Sequence, residues 1–538
     1  MKIAVNKWAM VALFILAVIV KAILLRTYLI IDSDRSLQLV AAAQLAKGLG
    51  YTVPQVDLLS MNTVQNMVLL EWPPLYSVLT AGLLRLTQFD FVLSSAWMDS
   101  LGAFLYLLGI WRLAACLRFT PVLQMIIVWF KATEIYEGFL ASFPTDFLAA
   151  ACWIWAFYFF LEYLDAPKKK WIVGLIIAIG ASFLFRYVYL TALPVLPFLL
   201  WWNGHIKNRR DWKKAAIVTA LFIAAIVLAY LGFNKMQSGS YTYLEQWDKG
   251  FYPEKLLNIV PLLWQAFGHV TFIGVQLELL LHLPYRWYQV FLQLSSLLII
   301  TSMLIRWKAT KKITELSEKD NRFSRFLVPA VWVSLAIIGT LTILSLRIDF
   351  PKNALGNTWS YLVEDRYFLV PLTVILFVLA GKLYMQAWKQ ARLQKILQVA
   401  LLLAFFVQVI HTGWILQKRI PLIAKEDAGS PADPEGKRIS LLSLFQEGRQ
   451  RGDDVVLLSK EYGYTYFALE HNVKVCRQVN ALQDTTVLGV KQPTTIVVSV
   501  DEIAYRKHKI FFDRNHFELR QRYQEELHLI AHLQPGKP

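Results

Sequence analysis

"KWAMVALFILAVIVKAILLRTYLIIDSD", Lys7 to Asp34, decides the fold class. From Trp8 to Ile31 the segment is almost wholly apolar. That run exceeds the about 20 residues a helix needs to cross a bilayer. It is too long for the apolar region of a signal peptide and has no small-residue cleavage site. A retained first span is therefore expected, with Lys21 snorkelling toward an interface. Two carboxylates, Asp32 and Asp34, follow where the chain first leaves the lipid.

The rest of the chain repeats the apolar theme. Its 538 residues are 56% hydrophobic and include 19 Trp, above the roughly 45–50% of a soluble domain. Eleven spans are predicted, at 8–31, 94–116, 121–138, 147–164, 171–185, 187–203, 215–233, 287–306, 326–346, 367–382 and 396–416. The stretch 73–92, "PPLYSVLTAGLLRLTQFDFV", is short, opens with Pro-Pro and contains Arg85. It reads as a helix lying at the interface.

Charge supports that count. With Lys2 and Lys7 in the cytoplasm, the basic clusters at 112–118, 168–170, 207–214, 306–312 and 382–395 all fall on one face, as the positive-inside rule requires. The net charge of +17 is thus a topology signal. It lacks the basic stripe with interleaved aromatics of a nucleic-acid binder. The opposite face receives the loops 32–93, 139–146, 234–286 and 347–366 and the tail from 417. Acids gather there: Asp32, Asp34, Glu71, Asp146, Glu245, Asp248, Glu254, Asp349, Glu364 and Asp365.

The tail changes character. "EDAGSPADPEGKR" (426–438) is a linker of Gly, Pro and charge. "DVVLLS", "VKVCRQV" and "TTIVVSV" are strand-like, with helical or turn material such as "YGYTYFALEH" between them. The expected organisation is a transmembrane module over 1–416, including the first outer loop, and a small extracytoplasmic α/β domain over 417–538. His528 and His532 are spaced to share a helix face, without the other ligands of a zinc site. Cys116, Cys152 and Cys476 give no disulfide framework.

After Asp34, Leu37, Ala41 and Leu45 form one helical stripe, with Gln38, Gln44 and Lys47 off it. An amphipathic helix along the membrane surface is expected. Capping of that helix is the plainer role for the two aspartates. Other outer segments add to them. "EWPPLYSVL" carries Glu71, and "FPTDFLAAACW" puts Asp146 at a span mouth. "FLFRYVYLTALP" puts Arg186 and Tyr187 at an outer turn, and "VEDRYFLVPL" puts Glu364, Asp365, Arg366 and Tyr367 at another mouth.

In order and spacing this set resembles the GT-C superfamily of membrane glycosyltransferases. The branch is the one related to protein O-mannosyltransferases and the bacterial aminoarabinose transferase of lipid A. The resemblance covers residues 8–200 and, locally, 360–375. It departs in three places: Ser33 takes the first acidic position counted back from Gly48, Trp72 replaces a lysine before Pro-Pro, and Tyr189 or its neighbours replace a glycine after Arg-Tyr.

The resemblance implies a GT-C-like polytopic fold, a polyprenyl-phosphate-linked sugar as donor, and a lipid, glycan or protein acceptor. Asp34 is the implied general base, with Asp32 the alternative at a one-residue slip. Glu71 and Asp146 orient acceptor or sugar. Arg186 and Arg366 hold the phosphate, Tyr187 and Tyr367 line the pocket, and Glu364 and Asp365 lie beside them at the substrate site. A polyprenyl phosphate leaves as an anion, which arginine stabilises with its fork of donors. One carboxylate suffices for an inverting displacement. No cofactor is required, although clustered carboxylates leave room for a divalent metal.

The competing reading is a transporter or lipid-linked-sugar flippase, which calls for internal repeats and midplane charges; a non-enzymatic scaffold is a third. The compartment expected is a bacterial inner membrane, with the N-terminus cytoplasmic and the tail periplasmic. A cysteine at position 33, in a background lacking the three native cysteines, should react with an impermeant maleimide in intact cells. One at position 208 should react only after permeabilisation, and the reverse pattern would invert the topology.

Overall fold

The computed structural model describes residues 7–27, 33–133, 144–246, 250–253, 318–347, 369–389, 409–410, 412–414, 416–417, 437–459, 464–523 and 526–535. In chain order these form α1 (Lys7–Thr27), α2 (Ser33–Ala46), the hairpin β1 (Thr52–Asp57) and β2 (Ser60–Val68), α3 (Leu75–Leu86), α4 (Phe91–Cys116) and α5 (Pro121–Thr133). Next come α6 (Pro144–Asp165), α7 (Lys169–Phe185), a 3-10 turn (Tyr187–Ala192), α8 (Val195–Ile206), α9 (Arg210–Ser238), α10 (Glu318–Arg347) and α11 (Leu369–Lys389). The tail holds α12 (Lys437–Gln450), β3 (Asp454–Ser459), α13 (Thr465–Glu470), β4 (Lys474–Cys476), β5 (Thr494–Val500), α14 (Glu502–Lys507), α15 (Lys509–Arg514), β6 (Glu518–Arg522) and β7 (Leu527–Leu533).

These elements divide into two compact units. One comprises Met1–Leu24, Asp99–Leu140 and Pro144–Trp414; the other comprises Leu25–Met98, Ala141–Phe143 and Ile415–Pro538. Among the described residues, five helices are long and apolar enough to span a bilayer: Lys7–Arg26, Phe91–Cys116, Pro144–Asp165, Arg210–Ser238 and Arg322–Leu344. The stretch 187–203, expected as a single span, is instead broken. A 3-10 turn and Pro194 interrupt it, and α8 has only 12 residues, short of the about 20 a crossing needs. Proline removes a backbone donor and restricts the residue before it, so the helix restarts there. The predicted span 287–306 and most of 396–416 lie outside the described residues.

The helical unit packs through small residues. A Cβ at Gly102 would stand 3.0 Å from the Leu148 side chain, and one at Gly109 would stand 3.0 Å from Trp155. Glycine at these two positions lets α4 and α6 approach closely, as in membrane helix pairs. Because 102 meets 147–148 and 109 meets 154–155, the two helices run parallel. In contrast, α1 is antiparallel to α4: Phe14 lies beside Phe104 and Trp111, while Lys21, later in α1, lies by Phe147, which meets the earlier Gly102.

In the other unit a five-stranded sheet has the order β4-β3-β5-β7-β6. β3 is parallel to both β4 and β5, and β7 is antiparallel to both β5 and β6. β5 is buried along its whole length and β3 nearly so, which is why both read as unbroken apolar runs. The edge strand β6, "ELRQR", is fully exposed; its charges discourage edge-to-edge pairing. His528 and His532 lie on β7, not on a helix. The spacing i, i+4 keeps two side chains on one face of either element, so it does not separate them.

The first-loop hairpin belongs to this unit. Met61 N–H donates to Gly489 O at 2.9 Å, and Gly489 N–H donates to Leu58 O at 2.8 Å. A Cβ at Gly489 would collide with the Leu59 carbonyl. Asn62 donates to Asp454 and Thr494, and Arg477 donates to Gln55.

The helix α2 departs from the amphipathic surface helix expected. Arg35, Ser36 and Gln38 are wholly buried along with its apolar residues. Its polar atoms serve packing instead. Ser36 Oγ accepts from Tyr466 N–H at 3.0 Å, Ser77 Oγ donates to Gln38 O at 2.8 Å, and Arg85 donates twice to Ala46 O at the helix end. Arg85, which marked 73–92 as interfacial, is thus the C-terminal cap of a neighbour. The helix α3 keeps Val78, Leu79 and Leu86 exposed on its other face.

A polar network ties β7 to the rest of the sheet. Glu526 accepts from Ser499 and from Tyr464 at 2.9 Å, and His528 Nε2 lies 3.0 Å from its carboxylate. An ionised carboxylate only accepts, so that ring nitrogen carries a hydrogen, and Nδ1 lies 2.9 Å from Ser440 Oγ. Burial pushes the Glu526 carboxyl up, but the hydrogen bonds from His528 and Ser499 outweigh it and hold it below the ordinary 4.5. Its stabilising effect is therefore complete above the unfolded value and is lost as pH falls through the lowered folded value. In thermal unfolding of the full chain, Glu526→Gln should cost about 1–3 kcal/mol at neutral pH. The gap from the native chain should close on acidification below about pH 4.5; a gap independent of pH would refute the linkage.

Candidate functional site

Charged side chains buried at lipid depth are costly and mark function. Among its described residues the helical unit buries five charged side chains: Lys21, Asp99, Lys131, Asp146 and Arg186. Lys21, Lys131 and Asp146 have no exposure, Asp99 has 6% and Arg186 has 8%.

Helix pairing brings them to one end of the unit. Asp146 lies in the first turn of α6. Arg186 follows the last residue of α7, which forms a hairpin with α6, and its extended backbone (φ −154°, ψ 125°) ends the helix. Arg186 Nε stands 2.8 Å from Asp146 Oδ1. Lys21 Nζ lies 6.0 Å from the ring centre of Phe147, the residue after Asp146. Asp99 is one turn before Gly102, the residue that meets Phe147. On α5, Gln124 accepts from Trp111 Nε1 at 3.1 Å; counting along that antiparallel pair sets Lys131 level with residue 104. The five charges thus fall within about two helical turns of one another along the bundle.

Such a set has a definite electrostatic character. Three cations face two carboxylates among these residues. A buried pair compensates charge only when geometry is good; Arg186 Nε and Asp146 Oδ1 stand at ion-pair distance, 2.8 Å. Lys21 does not reach for an interface as expected, because the Phe147 ring covers it. The sequence reading passed over Asp99 and Lys131. The signal was present, since Asp99 is a lone charge inside an apolar run and Lys131 closes the apolar run 121–130.

Tyr187 begins the 3-10 turn after Arg186. Its hydroxyl shares a hydrogen bond with the Tyr230 hydroxyl at 2.7 Å and accepts from Asn234 at 3.3 Å. Its ring lies against Phe183, Tyr230 and Tyr243. An aromatic wall held by hydroxyls therefore adjoins the arginine. Tyr189, where the resemblance leads to glycine, is wholly buried against Trp153.

The remaining expected residues lie elsewhere. Asp34 lies in the first turn of α2 and is half-buried. An acid there is favoured by the helix dipole. Glu71 is half-buried between β2 and α3, beside a segment pinned by Tyr51, whose hydroxyl donates to Trp72 O at 2.9 Å. Both belong to the unit that contains the sheet, whereas Asp146, Arg186 and Tyr187 belong to the helical unit. Asp32, Glu364, Asp365, Arg366 and Tyr367 lie outside the described residues. Among the described residues no three His, Cys, Asp or Glu side chains group as ligands for a metal ion.

No family model and no curated protein matches the chain. A solved structure does: the crystal structure of ArnT from Cupriavidus metallidurans bound to undecaprenyl phosphate. The match covers 98% of this chain and 98% of that one, with a TM-score of 0.52 and 14% identity. The chain has the ArnT fold. The resemblance to GT-C membrane glycosyltransferases drawn from the sequence therefore holds at the level of the fold, over nearly the whole length.

Coupling within the buried pair is measurable. Asp146→Asn or Arg186→Gln alone should destabilise the detergent-solubilised protein by about 3–5 kcal/mol, because each strands a buried charge. The double variant should lose less than the sum, with a coupling of about 0.5–3 kcal/mol in thermal unfolding. Simple additivity would show that the two side chains act independently.

Proposed function

We propose that this protein is an integral-membrane glycosyltransferase that moves a sugar from a polyprenyl-phosphate donor to an extracytoplasmic acceptor. The observation carrying the reading is the buried set of Lys21, Asp99, Lys131, Asp146 and Arg186 at one end of a helical unit, in a chain with the ArnT fold. The ArnT structure holds undecaprenyl phosphate, and a cation-rich, water-poor end of a bundle suits such a phosphate.

Roles follow from chemistry. Arg186 holds the donor phosphate through charge-assisted hydrogen bonds, and Asp146 sets the orientation of its guanidinium. Lys21 and Lys131 add positive potential where leaving-group charge grows, at low dielectric. Tyr187 lines the pocket. Asp34 takes the proton from the acceptor hydroxyl in one inverting displacement, with Asp32 the alternative base; Glu71 orients the acceptor. Arg366, with Glu364, Asp365 and Tyr367 beside it, completes the assignment made from sequence. The phosphate leaves as an anion and needs no general acid. The site is assigned to the periplasmic side of a bacterial inner membrane.

The test uses the purified full chain in detergent with radiolabelled undecaprenyl-phosphate-linked sugars and an extract of envelope glycolipids. Transfer of label to an acceptor is expected. Asp34→Asn should lower the turnover about 10²–10⁴-fold, and Arg186→Gln should weaken donor binding as well. Loss of activity in Asp32→Asn but not in Asp34→Asn would move the base by two positions. Movement of the donor across a liposome without transfer would replace the enzyme with a flippase.

A further inference from the structure

At the other end of the helical unit lies a cavity of about 260 Å³. It is enclosed by the C-terminal ends of α6 and α8, the first turn of α9 and the N-terminal part of α10. Its apolar wall includes Leu164, Leu199, Trp212 and Val328, and its polar groups are Asn203, Ser324, Lys207 and Arg325. Among the described residues two cations line it and no carboxylate does.

The cations are held in place from outside the lining. Arg325 Nη1 pairs with Asp165 Oδ1 at 2.9 Å, and Arg322 binds the other oxygen of that carboxylate. Lys207 caps α8 and lies 5.5 Å from the Trp212 ring centre. Burial lowers the Lys207 ammonium below its ordinary value, and the like charges of Arg325 and Arg209 lower it further. Two positive groups thus face one space at mutual cost, which an anion between them would relieve.

The surroundings fix the depth of the cavity mouth. Phe198, Trp201, Trp202 and Ile206 stand exposed along α8. Exposed indoles beside a basic loop, here Lys207 to Lys214, are the pattern of a membrane–water interface. The cavity therefore opens at headgroup level, with polar cations at one side and an aliphatic wall at the other.

We propose that this cavity binds the phosphate of an anionic membrane phospholipid, with Lys207 and Arg325 on the phosphodiester and Leu199 and Val328 along its glycerol and first acyl carbons. The site is separate from the buried charges at the far end and stands without the glycosyltransferase reading. Basic pockets between helices suit such headgroups because charge and apolar contact act together.

Native mass spectrometry of the purified full chain tests this, with phosphatidylglycerol and phosphatidylcholine of equal chain length added in turn. The native chain should retain phosphatidylglycerol at least about fivefold better. Lys207→Gln should remove that preference, Lys207→Arg should keep it, and Asn203→Trp, which fills the cavity, should lose it while the protein stays monodisperse. Equal retention of the two lipids, or a preference that survives Lys207→Gln, would overturn the proposal. Glycerol 3-phosphate, added without lipid, should not be retained; its retention in place of phosphatidylglycerol would reassign the site to a soluble phosphate and overturn the lipid.

Discussion

The contact between Arg186 and Asp146 sets a condition that the rest of the helical unit must meet. Asp146 has no exposure and Arg186 only 8%, so the α6–α7 hairpin favours the register that joins them at 2.8 Å. That register propagates. Gly102 and Gly109 lock α4 parallel to α6, and α1 packs antiparallel on α4. Sliding α1 by a single turn, about 5.4 Å, would take the buried Lys21 ammonium off the Phe147 ring. Close-packed glycines and buried charges thus select the same arrangement, and agreement between independent constraints is what gives a unique fold.

Much of this was legible in the chain because membrane solvation leaves few choices. Apolar length placed α4 and α6 within a few residues and found the apolar stretches of α1, α9 and α10, with α9 starting five residues and α10 eight residues before the expected spans. The words around Asp146, Arg186 and Tyr187 marked the ends of α6 and α7 correctly. What was hidden followed from ambiguity in pattern. Ala and Leu dominate α2, so its periodicity suggested a surface helix. Its burial depends on α3, β1 and α13, and the last of these lies more than 400 residues away. "LHLIAHL" fits helix and strand alike, and only pairing with β5 decides it. Lone charges such as Lys131 and Asp99 read as interruptions of a span until the pairing of helices sets them level with one another.

The division of the chain into two units bears on how an acid such as Asp34 is positioned. Its helix is not free to lie on a membrane surface. Ser36 binds the backbone of Tyr466, Gln38 accepts from Ser77, and Ala46 is capped by Arg85. Phe91 and Tyr466 stack at 6.1 Å in the same core. Below the helix, the hairpin is stitched to β3 and its neighbours by Asn62, Gln55 and Gly489. The tail is therefore a structural support for the first loop: Tyr466 binds Ser36 of α2, alongside the contacts that Ser77 and Arg85 supply from within the loop. The proton-accepting role proposed for Asp34 calls for rigid support of this kind, since transfer falls steeply when the acceptor wanders from hydrogen-bond reach. A chain could place an aspartate after a span at no cost. Holding that aspartate to within a fraction of an ångström requires a folded scaffold, and here the scaffold is built from both ends of the sequence.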